Sequence, residues 1–142
     1  MTEYLLDAIT KQLGTTFGND YHYYVEDVKQ NLTKPCFTVD TLLSTQRSKS
    51  PVLYDRTVSI VVHYFSDSTT TLKKDCYSVN ERLIECLEYL PFNNTLLRGE
   101  DISYQIEDDM LIVFTTYKFT TQKVVDAVDS IETYEGVTTR VQ

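Results

Sequence analysis

The chain has no tryptophan, only four glycines and three prolines among its 142 residues, two histidines, and three cysteines. Each scarcity excludes something. With glycine confined to positions 14, 18, 99 and 136, no glycine-rich loop is available to bring backbone amides against a phosphate or a dinucleotide. His22 and His63 stand in aromatic, strand-like surroundings, where a structural or surface histidine is the ordinary reading rather than a general base. There is no G-x-S-x-G turn and no H-E-x-x-H helix, so no catalytic residue and no cofactor is expected and an enzyme is disfavoured. An odd cysteine count without C-x-x-C spacing supports neither a disulfide framework nor a zinc site; Cys36, Cys76 and Cys86 read as small buried hydrophobes in a reducing compartment. No run reaches 18 uncharged apolar residues, and the first helix-like segment carries Glu3, Asp7 and Lys11. Neither a membrane span nor a secretory signal is therefore expected, and the chain reads as a cytoplasmic protein.

Hydrophobic residues make up 42% and charged residues 24%, the balance of a globular domain rather than a disordered chain. The length predicts one domain. Thirteen Lys and Arg against 21 Asp and Glu leave a net charge of −8, which disfavours nucleic-acid binding driven by phosphate neutralisation. Within this acidic chain the stretch from Lys29 to Arg56 is locally basic, with Lys29, Lys34, Arg47, Lys49 and Arg56 against Asp40 and Asp55. Tyr21, Tyr23, Tyr24, Tyr54 and Tyr64 lie close to it in sequence, but strand propensity and core packing account for them better than a base-stacking surface does.

Periodicity supplies the elements. Leu5, Ile9 and Leu13, with Leu6 alongside, predict an amphipathic helix over about 3–14, closed by Gly14 and Gly18. Residues 21–25 predict a short strand and 26–34 a polar connection ending at Pro35. Two long strands follow, at 36–43 and 52–65. In the second, Tyr54, Val58, Ile60, Val62 and Tyr64 alternate with polar residues, the period of a half-buried strand. Their link, residues 44–51, is polar and predicts a hairpin tip projecting beyond the sheet. Leu72, Cys76, Val79, Leu83, Cys86, Leu87 and Leu90 share one helical face, and Pro91 stops that helix. Residues 96–106 and 110–121 then predict a second hairpin turning at Glu107-Asp108-Asp109, a triplet without the spacing of a calcium loop.

The order is thus α-β-β-β-α-β-β, an α+β domain over residues 1–123 with an antiparallel or mixed sheet and both helices on one face. Residues 124–142 are acidic and weakly amphipathic, and predict a short C-terminal helix or an arm.

Several of these segments resemble a known family. Val25-Glu26-Asp27-Val28-Lys29-Gln30, Lys34-Pro35-Cys36-Phe37, Arg56-Thr57-Val58-Ser59-Ile60 and His63-Tyr64-Phe65, taken in this order and spacing over roughly residues 1–121, resemble the tail terminator family of tailed phages and phage-like particles of Gram-positive bacteria. The resemblance implies a structural virion protein found in the tail or neck and assembled in the bacterial cytoplasm. It implies a homo-hexameric ring on the head-proximal end of the tail tube that stops polymerisation of the tube, or of tube and sheath, and presents a surface to neck or head-completion proteins. Its partners would be its own copies, the tail tube protein, the sheath protein of a contractile tail, and those neck proteins. Two other readings stand beside it: a head-tail joining or head-completion protein, and a small cytoplasmic adaptor that binds acidic peptides.

The resemblance brings no residue motif for these contacts, so the interface candidates come from local sequence. They are Arg47, Lys49, Tyr54 and Arg56 on the first hairpin and Glu107, Asp108 and Asp109 on the second. Charge segregation suggests that the basic surface of one subunit meets the acidic surface of the next in a head-to-tail ring.

Overall fold

A computed structural model describes residues 2–25 and 32–123. The expectation of a C-terminal helix or arm, and the Glu26–Gln30 segment that carries part of the resemblance, lie outside the described residues. The elements are α1 (Thr2–Phe17), β1 (His22–Val25), β2 (Cys36–Ser48), β3 (Leu53–Phe65), α2 (Leu72–Glu88), β4 (Tyr89–Phe92), β5 (Thr95–Arg98), β6 (Glu100–Glu107) and β7 (Met110–Gln122). Five strands form one mixed sheet in the order β1-β2-β3-β7-β6, with β1 parallel to β2 and every other pair antiparallel. β4 and β5 make a separate two-stranded ribbon.

Alternation along β3 and β7 decides which face the helices cover. Val58, Ile60, Val62 and Tyr64 on β3, with Leu111, Val113 and Tyr117 on β7, are all buried. Against them pack Leu5, Leu6, Ile9 and Leu13 of α1 and Val79, Leu83 and Leu87 of α2. Both helices lie on this one face, α1 over β1 and β2, α2 over β6 and β7, so the α+β order and the one-sided layering agree with the sequence pattern.

Helix α1 runs one turn further than its apolar spacing predicts. Gly14 is helical, and the chain leaves the helix at Gly18, whose φ of +83° is cheap only without a Cβ. Phe17 gives that last turn a reason to form. Its ring centroid sits 4.6 Å from that of Phe37, the Arg82 guanidinium lies 4.4 Å above the ring, and Arg82 donates to the Thr16 carbonyl at 2.7 Å. Tyr23 donates to the Gly18 carbonyl at 2.7 Å, satisfying one of the helix-end acceptors.

Helix α2 is shorter than predicted. It ends at Glu88, and Leu90 and Pro91 belong to β4. Asn93 and Asn94 turn the chain with φ of 49° and 61°, the two consecutive left-handed residues of a tight hairpin that asparagine tolerates best after glycine. The stretch expected as one strand over 96–106 is broken at Gly99. A Cβ there would lie 2.6 Å from the Leu87 carbonyl oxygen and 2.8 Å from Thr115 Oγ1. The missing side chain lets the Gly99 amide reach the Glu88 carbonyl at 2.7 Å. With Tyr117 donating to the Leu87 carbonyl at 2.6 Å, the end of α2 is capped by tertiary partners instead of its own sequence.

At the opposite end of α2, Asp75 accepts hydrogen bonds from Tyr64, at 2.7 Å, and from Ser66. A carboxylate in a first helical turn is also favoured by the helix dipole. Burial together with the Asp75 carboxylate pushes the Tyr64 phenol well above its ordinary range.

Candidate interface surfaces

β2, β3 and β7 outrun the helices. From Leu42 to Lys49 every residue is exposed, so the far ends of these three strands form an arm. Its extent differs from the expectation for residues 44–51: β2 keeps pairing with β3 as far as Ser48↔Tyr54, and only residues 49–52 turn. In the turn, the Lys49 amide donates to the Leu53 carbonyl at 2.9 Å and the Leu53 amide donates to Ser50 Oγ at 3.1 Å. The Lys123 amide reaches the Val52 carbonyl at 2.8 Å, tying the end of β7 to the tip. The projecting element is therefore a paired, three-stranded ribbon with a short cap.

A β-bulge changes what the arm presents. Thr41 pairs with Ile60 but Leu43 with Ser59, leaving Leu42 as the extra residue. Beyond it the alternation of β2 is inverted. Leu42 and Leu43, at the end of the strand predicted over 36–43, stand 58% and 61% exposed, and the odd residues Thr45 and Arg47 point to the face away from the helices. Arg47 lies across from Asp55, and Asp55 across from Thr120. The Asp55 carboxylate accepts from the Thr120 hydroxyl at 3.0 Å, and Arg47 takes part in neither of the two ion pairs found among the described residues.

The first-hairpin candidates are thus divided. Arg47 is on the outer face, Lys49 in the turn, and Tyr54 and Arg56 on the helix-side face, opposite Thr121 and Phe119. Arg56 Nε is buried with no hydrogen-bond partner, while Phe119 packs against Phe92 with ring centroids 5.5 Å apart. No single patch holds all four residues.

Glu107, Asp108 and Asp109 sit at the opposite pole of the sheet. Asp108 and Asp109 have φ of 51° and 61°, so their identity is explained first by the left-handed turn they make. Met110 is paired with Phe65, and Gln122 with Leu53 at the arm tip. At about 3.4 Å per residue the two poles are roughly 40 Å apart.

A second acidic site, absent from the sequence candidates, lies where β6 begins. Glu100 is level with Thr116, and a bulge at Asp101 (φ 53°) leaves both carboxylates exposed. Glu100 pairs with Lys118 at 3.8 Å. Strand assignment alone hides this site, because its position depends on the break at Gly99.

His63 lies on the outer face between Thr38 and Ile112. Burial lowers its pKa while Asp40 opposes the shift. The thiols of Cys36, Cys76 and Cys86 are buried and free, and desolvation raises all three. Among the described residues no group of three His, Cys, Asp or Glu side chains could hold a metal, and no helix is long and apolar enough to cross a membrane.

Comparison with known proteins adds a family. A family model described as phage tail terminator protein matches residues 4–129. A search of curated proteins finds no match. One solved structure aligns over 88% of this chain and 95% of its own, at 9% identity and a TM-score of 0.41, too distant a likeness to carry a functional argument.

Proposed function

The chain belongs to the phage tail terminator family, whose members are structural proteins of the virion tail, and from that premise we propose that it forms a ring on the head-proximal end of the tail tube. In this reading the ring ends polymerisation of the tube, and of the sheath where the tail contracts, and offers its far surface to neck or head-completion proteins. Assembly takes place in the host cytoplasm before the head is joined, with a homo-hexamer as the working unit. The family match over residues 4–129 carries the proposal.

The shape of the molecule is compatible with it. An arm with a basic tip and a turn with three acidic residues stand at opposite poles of the same strands. A ring whose subunits stand with their strands roughly along its axis has two chemically different rims, one for the tube and one for the neck. Arg47, Lys49, Tyr54 and Arg56 are our candidates for contacts at or near one rim, and Glu107, Asp108 and Asp109 for contacts at the other.

Electron microscopy of particles from a strain lacking the gene tests this reading. Tubes or tails running past the normal length are expected. Tails of normal length with detached heads would overturn it in favour of a head-tail joining protein, and unaltered particles would remove the protein from tail assembly.

A further inference from the structure

Among the described residues two strand edges of the sheet are open, and their sequences fit each other. Among the described residues β2 is paired on its outer side only where β1 reaches it, from Cys36 to Val39, so Thr41–Ser48 presents an unpaired row of amides and carbonyls. Among those same residues β6 is paired only with β7, and the outer edge of Glu100–Glu107 has no partner strand. Exposed edges in natural sheets are normally blunted by charges or proline. Here the middle of each is bare: Leu43-Ser44-Thr45-Gln46 on one and Ile102-Ser103-Tyr104-Gln105 on the other, with neither charge nor proline in either.

The charges stand at the ends. β2 finishes toward Arg47 and Lys49 with no acid between Leu42 and Ser50, and β6 begins with Glu100 and Asp101 and has no base before Asp109. The two strands run in opposite directions within the sheet, so a copy placed alongside without being inverted offers its β6 antiparallel to β2. The basic end of one edge then meets the acidic start of the other.

We propose that β2 of one copy pairs antiparallel with β6 of the next, Leu43–Arg47 against Asp101–Gln105, with Thr45 opposite Ser103 and Arg47 opposite Asp101. This inference rests on the ring reading and says which surfaces build the ring. The register keeps faces together. Leu43 and Thr45 share the outer face with Gln105 and Ser103, and Ser44 and Gln46 share the helix-side face with Tyr104 and Ile102, as cross-strand pairing demands. Because the edges used by each copy differ, the contact is head-to-tail and closes into a ring or continues as a filament.

Thr45 is level with Lys118, whereas Ser103 is level with Phe114. Neighbouring copies are therefore staggered by about 14 Å along the strands, a shift that a closed sheet accommodates by tilting its strands. Pairing Arg47 laterally with Glu107–Asp109 would need well over twice that stagger, so the acidic partner of the arm is Glu100 and Asp101.

A disulfide trap tests the register. Within one copy β2 and β6 are three strand spacings apart, about 14 Å, beyond the reach of a disulfide, and the three natural cysteines are buried. Oxidising assembled Thr45→Cys/Ser103→Cys protein, alone and on tail tubes, should give a covalent ladder of multimers on denaturing gels. In parallel, Arg47→Glu/Lys49→Glu should lower the assembled fraction about tenfold or more. Glu100→Lys/Asp101→Asn should do the same, the asparagine keeping a residue that accepts positive φ, and combining all four changes should restore assembly. Wild-type rings without a ladder from the cysteine variant, or charge variants that assemble normally, would overturn the pairing and leave the ring standing. A wild-type chain that forms no ring even on tubes would overturn both.

Discussion

The two ends of the same three strands obey different rules. At the base, β2, β3 and β7 carry Phe37, Val62, Tyr64 and Val113 against both helices, all but fully buried. In the arm the strands continue in regular pairing, yet every residue of β2 from Leu42 to Ser48 is exposed. Backbone hydrogen bonds are equally available in both regions, so what separates them is apolar burial, the dominant favourable contribution to folding. The arm is held as an extension of a sheet nucleated elsewhere, which frees its side chains and its edge for contacts with other molecules.

That contrast should be visible in stability measurements. The largest effect is expected in the core: Leu83→Ala, at a fully buried position of α2, should cost about 2–5 kcal/mol in a urea titration. Gly99→Ala comes next, at about 1–3 kcal/mol, because the added carbon meets the rigid Leu87 carbonyl. Measuring it alongside Gly14→Ala, where no atom lies within 4 Å and the helix should gain slightly from alanine, would show that Gly99 is required for close approach.

A third effect depends on pH. Burial raises the phenols of Tyr117 and Tyr64, so the folded state holds their protons more firmly than the unfolded state does. The stability this provides is complete below the ordinary tyrosine pKa of 10.0 and is lost as pH rises beyond it toward the folded values. Tyr117→Phe should cost about 1–2 kcal/mol near neutrality through the unsatisfied Leu87 carbonyl. It should also show a shallower alkaline decline in chemical denaturation. The smallest effect belongs to the arm: Arg47→Glu/Lys49→Glu should change stability by less than about 0.5 kcal/mol while disrupting assembly. A large loss of stability from that variant would mean that the arm helps hold the fold.

Much of the scaffold could be read from spacing. The apolar steps of both helices and the alternation of β3 and β7 name most of the core, because burial on one face imposes its period on the residues. The misreadings fall where one element leans on another. Phe17 extends α1 because Phe37 and Arg82 are there to receive it. Leu90 carries the helical spacing of α2 but belongs to β4, where it pairs with Leu97 across the Asn93-Asn94 turn.

The candidate surfaces were legible only as charges. Arg47, Lys49 and Arg56 could be recognised as basic residues near a hairpin, and Glu107–Asp109 as an acidic turn. That Arg47 and Arg56 face opposite sides, and that Glu100 and Asp101 form a separate acidic site beside an open edge, could not.

Period, charge and turn chemistry by themselves determined the α+β order, the one-sided core and the acidic turn, because each depends on residues a few positions apart. Tertiary structure alone decided the direction of the arm's side chains, which strand edges stay open, and which charges stand within reach of a neighbour. A single extra residue at Leu42 inverts the alternation of β2, and a missing Cβ at Gly99 sets where β6 begins. Both features exist only through the strand or helix packed alongside.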